Sequence, residues 1–469
     1  MLQPYVWAID DYPLSQMAQL GFVNYLQDAF EQRGAWRLLQ HGMVGWIVNA
    51  GTWLPGVIAV GSHVLTSQFF YLVFAGLCVT RDDALKVALL AACAPFGFQA
   101  ISWTSALPYV LSSLVAWASL WLFLHHRSTP KGLWIAWGCV FAATLLVHDH
   151  LLFALAAVAV AAWLLAPQPS LWRQAWLQPS TRWLPPLMAC AYLVAYFWWK
   201  PTDHPLYMEP HFHWPSLVGP AARLWQWLDV WEPFPSLALW QIAASEWPAG
   251  GWGAGACIAA GVASLWLVHP ERSRNQTLSK HHATRIAVAM LLLFLMASLI
   301  YVPAGGYSLD SRKRYPLFLF FLGGVGTIAL PWGRRLFTRA RPWLSRAAMS
   351  LLATACMLAC WLHVGLWRAE GRASRLLSDF LAANPAFRQV CANKLIDPAK
   401  VSPAVARLHG VGWIQTAYLH QPFLLDHPAQ ALPEIRHSPG QDIPELIYDY
   451  RNREWRALPS LTPTSKTPN

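Results

Sequence analysis

The chain has 469 residues, of which 56% are hydrophobic and only 12% charged. That charged share is about half of what soluble domains carry, which argues against a soluble globular class. The net charge of +11 does not read as a nucleic-acid footprint either, because most Arg and Lys sit in short loops between apolar blocks, where they orient helices in a bilayer.

Apolar blocks of about 17–24 residues recur, the length that crosses a bilayer core of roughly 30 Å. The expected fold is an all-α polytopic membrane bundle with about ten spans across 56–366. Residues 1–55 are expected to hold the remnant of a first helix and an extracytoplasmic loop with surface helices. Residues 367–469 read as a small extracytoplasmic segment, rich in Pro and mixed charge, with a disordered end at PSLTPTSKTPN.

Residues 1–9 are mostly apolar and too short to span, so either the chain begins on the outer side or, the favoured expectation, most of a first transmembrane helix is missing ahead of them. Asp10 and Asp11 follow, then Tyr12 and Pro13. One reading is a polar turn that caps a surface helix starting near Ser15. The other is a carboxylate pair at headgroup depth, serving as a general base or as metal ligands for a lipid-linked substrate. Met17, Leu20, Val23, Leu26 and Phe30 recur at helical spacing, which suits a helix lying on the membrane surface. Arg33 and Arg37 on that helix either touch a lipid headgroup or simply snorkel.

The spans are expected at 56–79, 84–103, 106–125, 132–148, 151–167, 183–199, 251–268, 286–303, 315–331 and 347–366. His63, inside the first of them, reads as a hydrogen-bonded interior residue. His148, Asp149 and His150 close the 132–148 span, and three ionisable residues in a two-helix turn are either a solvated turn or a functional cluster. Asp203, Glu209, His211 and His213 in the loop 200–214 are candidates for an acceptor site, although exposed loops carry such residues routinely.

Loops 270–285 and 333–346 are rich in Arg and Lys and are expected to be cytoplasmic. Alternation then puts 10–55, 149–150, 200–250, 304–314 and everything after 366 on the outer side. Arg312, Lys313 and Arg314, followed by Tyr315, therefore violate the positive-inside rule. Either they contact anionic lipid, or they hold a phosphate or pyrophosphate, which Arg does bidentately. Seven of the eight Cys lie in expected spans and only Cys391 lies outside them, so no disulfide framework or zinc spacing is implied.

An acidic pair in the first outer loop, followed by an Arg-containing surface helix, resembles the GT-C superfamily of polytopic glycosyltransferases. The stretch GVIAVGSHVLTSQFFYLVFAGL (56–77) is similar to that family's second helix, and 92–124 to its third and fourth. VHDHLLFALA stands where relatives often carry an acidic residue, and SRKRYPLFLFFLGG resembles an Arg-Tyr step into a late apolar run. The likeness covers residues 10–331.

The resemblance implies inverting transfer of a sugar from a polyprenyl-phosphate carrier to a cell-envelope acceptor: a glycan such as lipopolysaccharide, a lipid or a protein. It would take place at the periplasmic face of a bacterial inner membrane. Asp10 or Asp11 would be the base or metal-facing acid, Asp149 the second acid, and Arg312 or Arg314 the groups on the carrier phosphate. His148, His150, Lys313, Tyr315, Arg33 and Arg37 would complete substrate binding. A divalent cation, Mg or Mn, on Asp10, Asp11 and Asp149 is left open. Tyr109 departs from the pattern, standing where several subfamilies place an acid.

Two other classes fit in part. A polysaccharide polymerase or O-antigen-ligase-like enzyme would use the 200–250 loop, which holds Lys200 and Arg223 beside Asp203, Glu209, Asp229, Glu232 and Glu246. A lipid or glycan transporter would place its charges mid-span and show two similar halves, neither of which is evident.

Overall fold

A proline within the first turn opens three of the helices: Pro55 in α1 (Leu54–Gly76), Pro108 in α3 (Leu107–His126) and Pro342 in α7 (Pro342–Ala383). The first turn has N–H groups without intrahelical partners, so proline's missing donor costs nothing there. The remaining helices are α2 (Arg81–Cys93), α4 (Trp252–Leu267), α5 (Lys280–Leu299) and α6 (Ser311–Thr338), and the strands are β1 (Glu445–Asp449) and β2 (Glu454–Leu458). The structure is a computed structural model that describes residues 53–77, 81–94, 106–126, 252–267, 280–299, 311–338, 342–384, 445–449 and 454–458. It also describes positions 24, 46, 47, 50, 100, 101, 194 and 246.

Two compact units divide the chain. The first comprises 1–5, 17–233 and 251–361; the second comprises 6–16, 234–250 and 362–469.

In the first unit α1 sorts its residues by face. Ala59, Ser62, His63, Thr66, Ser67, Phe70, Val73 and Phe74 turn inward, whereas Val57, Val60, Val64, Leu65 and Leu72 are exposed. The inward face thus mixes polar and apolar side chains, and the exposed face is mostly aliphatic apart from Gln68, unlike the usual amphipathic helix with its polar side chains outward. Two of the inward hydroxyls bond within the helix: Thr66 Oγ1 donates to the Ser62 carbonyl at 2.7 Å, and Ser67 Oγ to the His63 carbonyl at 3.0 Å.

An aromatic cluster joins α1, α3 and α6. Phe70 lies 4.5 Å from Trp117 and 4.7 Å from Phe74 between ring centroids, and Trp117 lies 5.3 Å from Phe320. Edge and tilted contacts at these separations are favourable for π systems. The Phe74 ring packs directly on the α6 backbone at Gly323, since a Cβ there would lie 2.7 Å from Phe74 Cζ. His63 meets Tyr315, and Phe74 meets Gly323, so α1 and α6 run parallel. Phe294 meets Phe321 and Leu291 meets Gly324, so α5 runs antiparallel to α6.

The pair α4–α7 is also antiparallel. Gly253 faces Trp361, Cys257 Sγ donates to the Met357 carbonyl at 3.6 Å, and Ser350 Oγ donates to the Gly261 carbonyl at 2.5 Å. Small residues four apart on α4 let the two backbones come together.

One expected boundary is corrected. The expected span 84–103 is broken, because α2 ends at Cys93 with Ala94 N donating to the Leu90 carbonyl at 2.8 Å. Pro95 comes next, and it disfavours helical backbone in the residue before it. The expected span 347–366 matches the apolar stretch Arg346–Gly365, and the helix that carries it, α7, runs on to Ala383, with no proline after Pro342 until Pro385. Asn384 closes it with both its backbone N and its Nδ2, each 2.9 Å from the Phe380 carbonyl. The expected spans 132–148, 151–167 and 183–199 lie outside the described residues.

Among the described residues, two helical stretches are long and apolar enough to cross a membrane, Leu54–Gly76 and Arg346–Gly365. Shorter apolar helical stretches are Leu107–Leu122, Trp252–Ala263, Ala283–Leu295 and Tyr315–Ala329.

The second unit adds two features. Arg372 pairs with the buried carboxylate of Glu246. β1 and β2 form an antiparallel hairpin with Tyr448 opposite Trp455 and Leu446 opposite Ala457. The hairpin lies within the stretch 367–469, expected as a small extracytoplasmic segment with a disordered end.

Candidate site at the start of α6

The cationic run that stands out in the sequence is not a loop. α6 begins at Ser311, so Arg312, Lys313 and Arg314 occupy its first turn, and no acidic residue shares that turn. A helix N-terminus already carries about half a positive charge from its aligned peptide dipoles, and three cations there add to it. The arrangement is costly unless an anion neutralises it, and phosphate groups are suited to that role.

The next residue anchors the turn. Tyr315 is only 2% exposed, and its hydroxyl lies 2.6 Å from His63 Nδ1 on α1. The other ring nitrogen, His63 Nε2, lies 3.0 Å from the Ala92 carbonyl on α2. A carbonyl only accepts, so Nε2 carries the proton, and in the neutral imidazole Nδ1 accepts from the Tyr315 hydroxyl. The rings meet at 5.5 Å with 58° between planes. Three helices are thus tied through one imidazole.

Ala92 explains why histidine is useful at this position. It lies in the last turn of α2, where the break at Cys93 removes the next intrahelical donor. His63 supplies the missing donor to Ala92, and the Cys360 thiol donates to the adjacent Cys93 carbonyl at 3.4 Å. Cys93, Cys257, Cys356 and Cys360 are free thiols. The interior, hydrogen-bonded histidine read from the sequence is found as expected.

The remaining expected site residues divide clearly. Asp10, Asp11, Arg33, Arg37, His148, Asp149 and His150 lie outside the described residues, as do Asp203, Glu209, His211 and His213. Tyr109 lies in the first turn of α3 rather than in a connecting turn, and its carbonyl accepts from Ser112 Oγ and Ser113 Oγ at 2.9 Å each. Among the described residues, no group of three or more His, Cys, Asp or Glu is placed to hold a metal ion.

One polar group was missed in the sequence. Lys86 on α2 is 6% exposed and its Nζ lies 2.8 Å from Asp82 Oδ2, with Asp83 buried beside them in the chain. The signal was available, because Asp and Lys four apart on a helix face one another.

Comparison of this chain with family models, with characterised proteins and with solved structures gives no match.

Proposed function

We propose that this protein is a multi-pass membrane glycosyltransferase that moves a sugar from a polyprenyl-phosphate carrier to a cell-envelope acceptor. It would do so in a bacterial inner membrane, with its site toward the periplasm. The observation that carries the reading is the first turn of α6, where three cations and a helix N-terminus stand together without an acid. The outward aliphatic faces of the helices support the membrane setting, since Val64, Leu72, Val262, Leu295 and Leu351 are exposed while Ser62, Thr66 and Ser112 are buried.

The chemistry is a displacement at the anomeric carbon. An acceptor oxygen forms its bond to that carbon while the bond to the carrier phosphate breaks, and the phosphate leaves with the electron pair. Asp10 or Asp11 takes the acceptor's proton, with Asp149 as the second acid. Arg312 and Arg314 stabilise the charge that develops on the departing phosphate, with Lys313 beside them in the chain. A base poised for the proton and cations poised for the phosphate are what such a reaction requires.

The test uses the full chain in nanodiscs with undecaprenyl-phosphate-linked hexoses. Arg312→Gln with Arg314→Gln should reduce release of undecaprenyl phosphate by at least about a hundredfold, the scale lost when a charge-stabilising donor is removed. Undiminished release would overturn the proposal.

A further inference from the structure

Cations grip a phosphate well only if the turn that carries them keeps one depth and one rotation. The first turn of α6 is poorly tethered by its own backbone. Its leading N–H groups have no intrahelical acceptor, and Pro316 has no N–H to give to the Arg312 carbonyl. Among the described residues, a fixed point next to it is Tyr315, bonded through His63 to the Ala92 carbonyl at 2.6 and 3.0 Å. Position 312 precedes Tyr315 by three residues, so it falls on nearly the same side of α6, one turn nearer the N-terminus.

We propose that His63 and Tyr315 are positioning residues, which lock the first turn of α6 against α1 and the end of α2 so that it presents a fixed phosphate-holding geometry. This rests on the phosphate role given above to Arg312 and Arg314. His63 acts at two places with one ring, since it completes the broken end of α2 and receives the hydroxyl that pins α6. The device therefore reaches the substrate without touching it.

The test is binding of undecaprenyl phosphate to the full chain in phosphatidylglycerol nanodiscs, with thermal stability measured alongside. An Asn amide stands near the place of Nδ1 and keeps an acceptor for Tyr315, whereas a Gln amide reaches toward Nε2 and keeps only the donor to Ala92. Tyr315→Phe and His63→Gln should each weaken binding about three- to tenfold, the worth of one hydrogen bond. His63→Asn, which keeps the bond to α6 and gives up the one to α2, should bind more tightly than His63→Gln. A purely structural role would make affinity follow thermal stability instead of following which contact survives.

Should Tyr315→Phe fail to insert, the two His63 variants decide by themselves. Equal binding by His63→Gln and His63→Asn, while Arg312→Gln with Arg314→Gln loses binding, overturns the positioning role and leaves the phosphate role standing. Wild-type binding no stronger than to phosphatidylglycerol alone, or undiminished by the paired Arg substitutions, overturns the phosphate role and this inference with it.

Discussion

The Tyr315 hydroxyl donates to His63 Nδ1 across 2.6 Å, although the two residues stand 252 positions apart in the chain. Tyr315→Phe would leave a buried acceptor without its donor. The expected loss is about 1–2 kcal/mol, toward the upper end of what hydrogen bonds between membrane helices contribute. Unfolding in bicelles should show it. A variant as stable as the wild type would mean that the contact does not matter for folding.

Lys86 and Asp82 form a poorly exposed pair, with side chains 8% and 17% accessible. Lys86→Met strands the carboxylate, whereas Lys86→Met combined with Asp82→Asn removes both charges. The single variant should therefore be the less stable of the two, because breaking a buried pair costs about 3–5 kcal/mol and replacing it often costs little. Equal stability in a double-mutant cycle would show that the pair is not coupled.

Gly261 meets the Thr354 side chain so closely that an added Cβ would collide with it. Gly261→Ala should force α4 from α7 and lower stability by about 1–3 kcal/mol, the usual scale of overpacking. Thr354→Ala in the same chain should restore part of it. No recovery in the double variant would argue that the two helices do not pack along this face.

Val64 is 56% exposed on an outward face of α1 that also carries Val57, Val60, Leu65 and Leu72, with Gln68 the polar residue among them. If lipid covers that face, Val64→Asp should cost about 2.5–3.5 kcal/mol of insertion near the centre of a span. Alkaline extraction of membranes measures this directly. Wild-type protein should stay in the pellet, and the variant should be partly released. Release of the wild type would contradict the membrane reading.

Hydropathy alone made much of the helical bundle legible, and the prolines at 55, 108 and 342 mark helix starts for a stated reason. It failed where hydrophobicity and helicity part company. Apolar residues on both sides of Pro95 masked the end of α2, and Arg368, Glu370, Arg372 and Arg375 follow the apolar stretch of α7 without ending the helix, since charged residues extend a helix readily. At the site, His63 was legible because an imidazole in an apolar run needs partners. Its partner Tyr315 was not, since a contact across 252 positions leaves no local pattern. The sequence groups Tyr315 with the cations beside it, and the structure buries it against His63.

The proposed sugar transfer calls on Asp10 or Asp11 for the acceptor's proton and on the cations of α6 for the carrier phosphate. The most direct measurement is transfer from undecaprenyl-phosphate-linked hexoses in membranes bearing the full chain with Asp10→Asn and Asp11→Asn together, beside the wild type and Arg223→Gln. The account predicts that the Asp variant inserts normally but transfers at least about a hundredfold more slowly, the scale of general-base catalysis, while Arg223→Gln transfers like the wild type. Transfer undiminished by the two Asn substitutions, or lost on changing Arg223 alone, would contradict it.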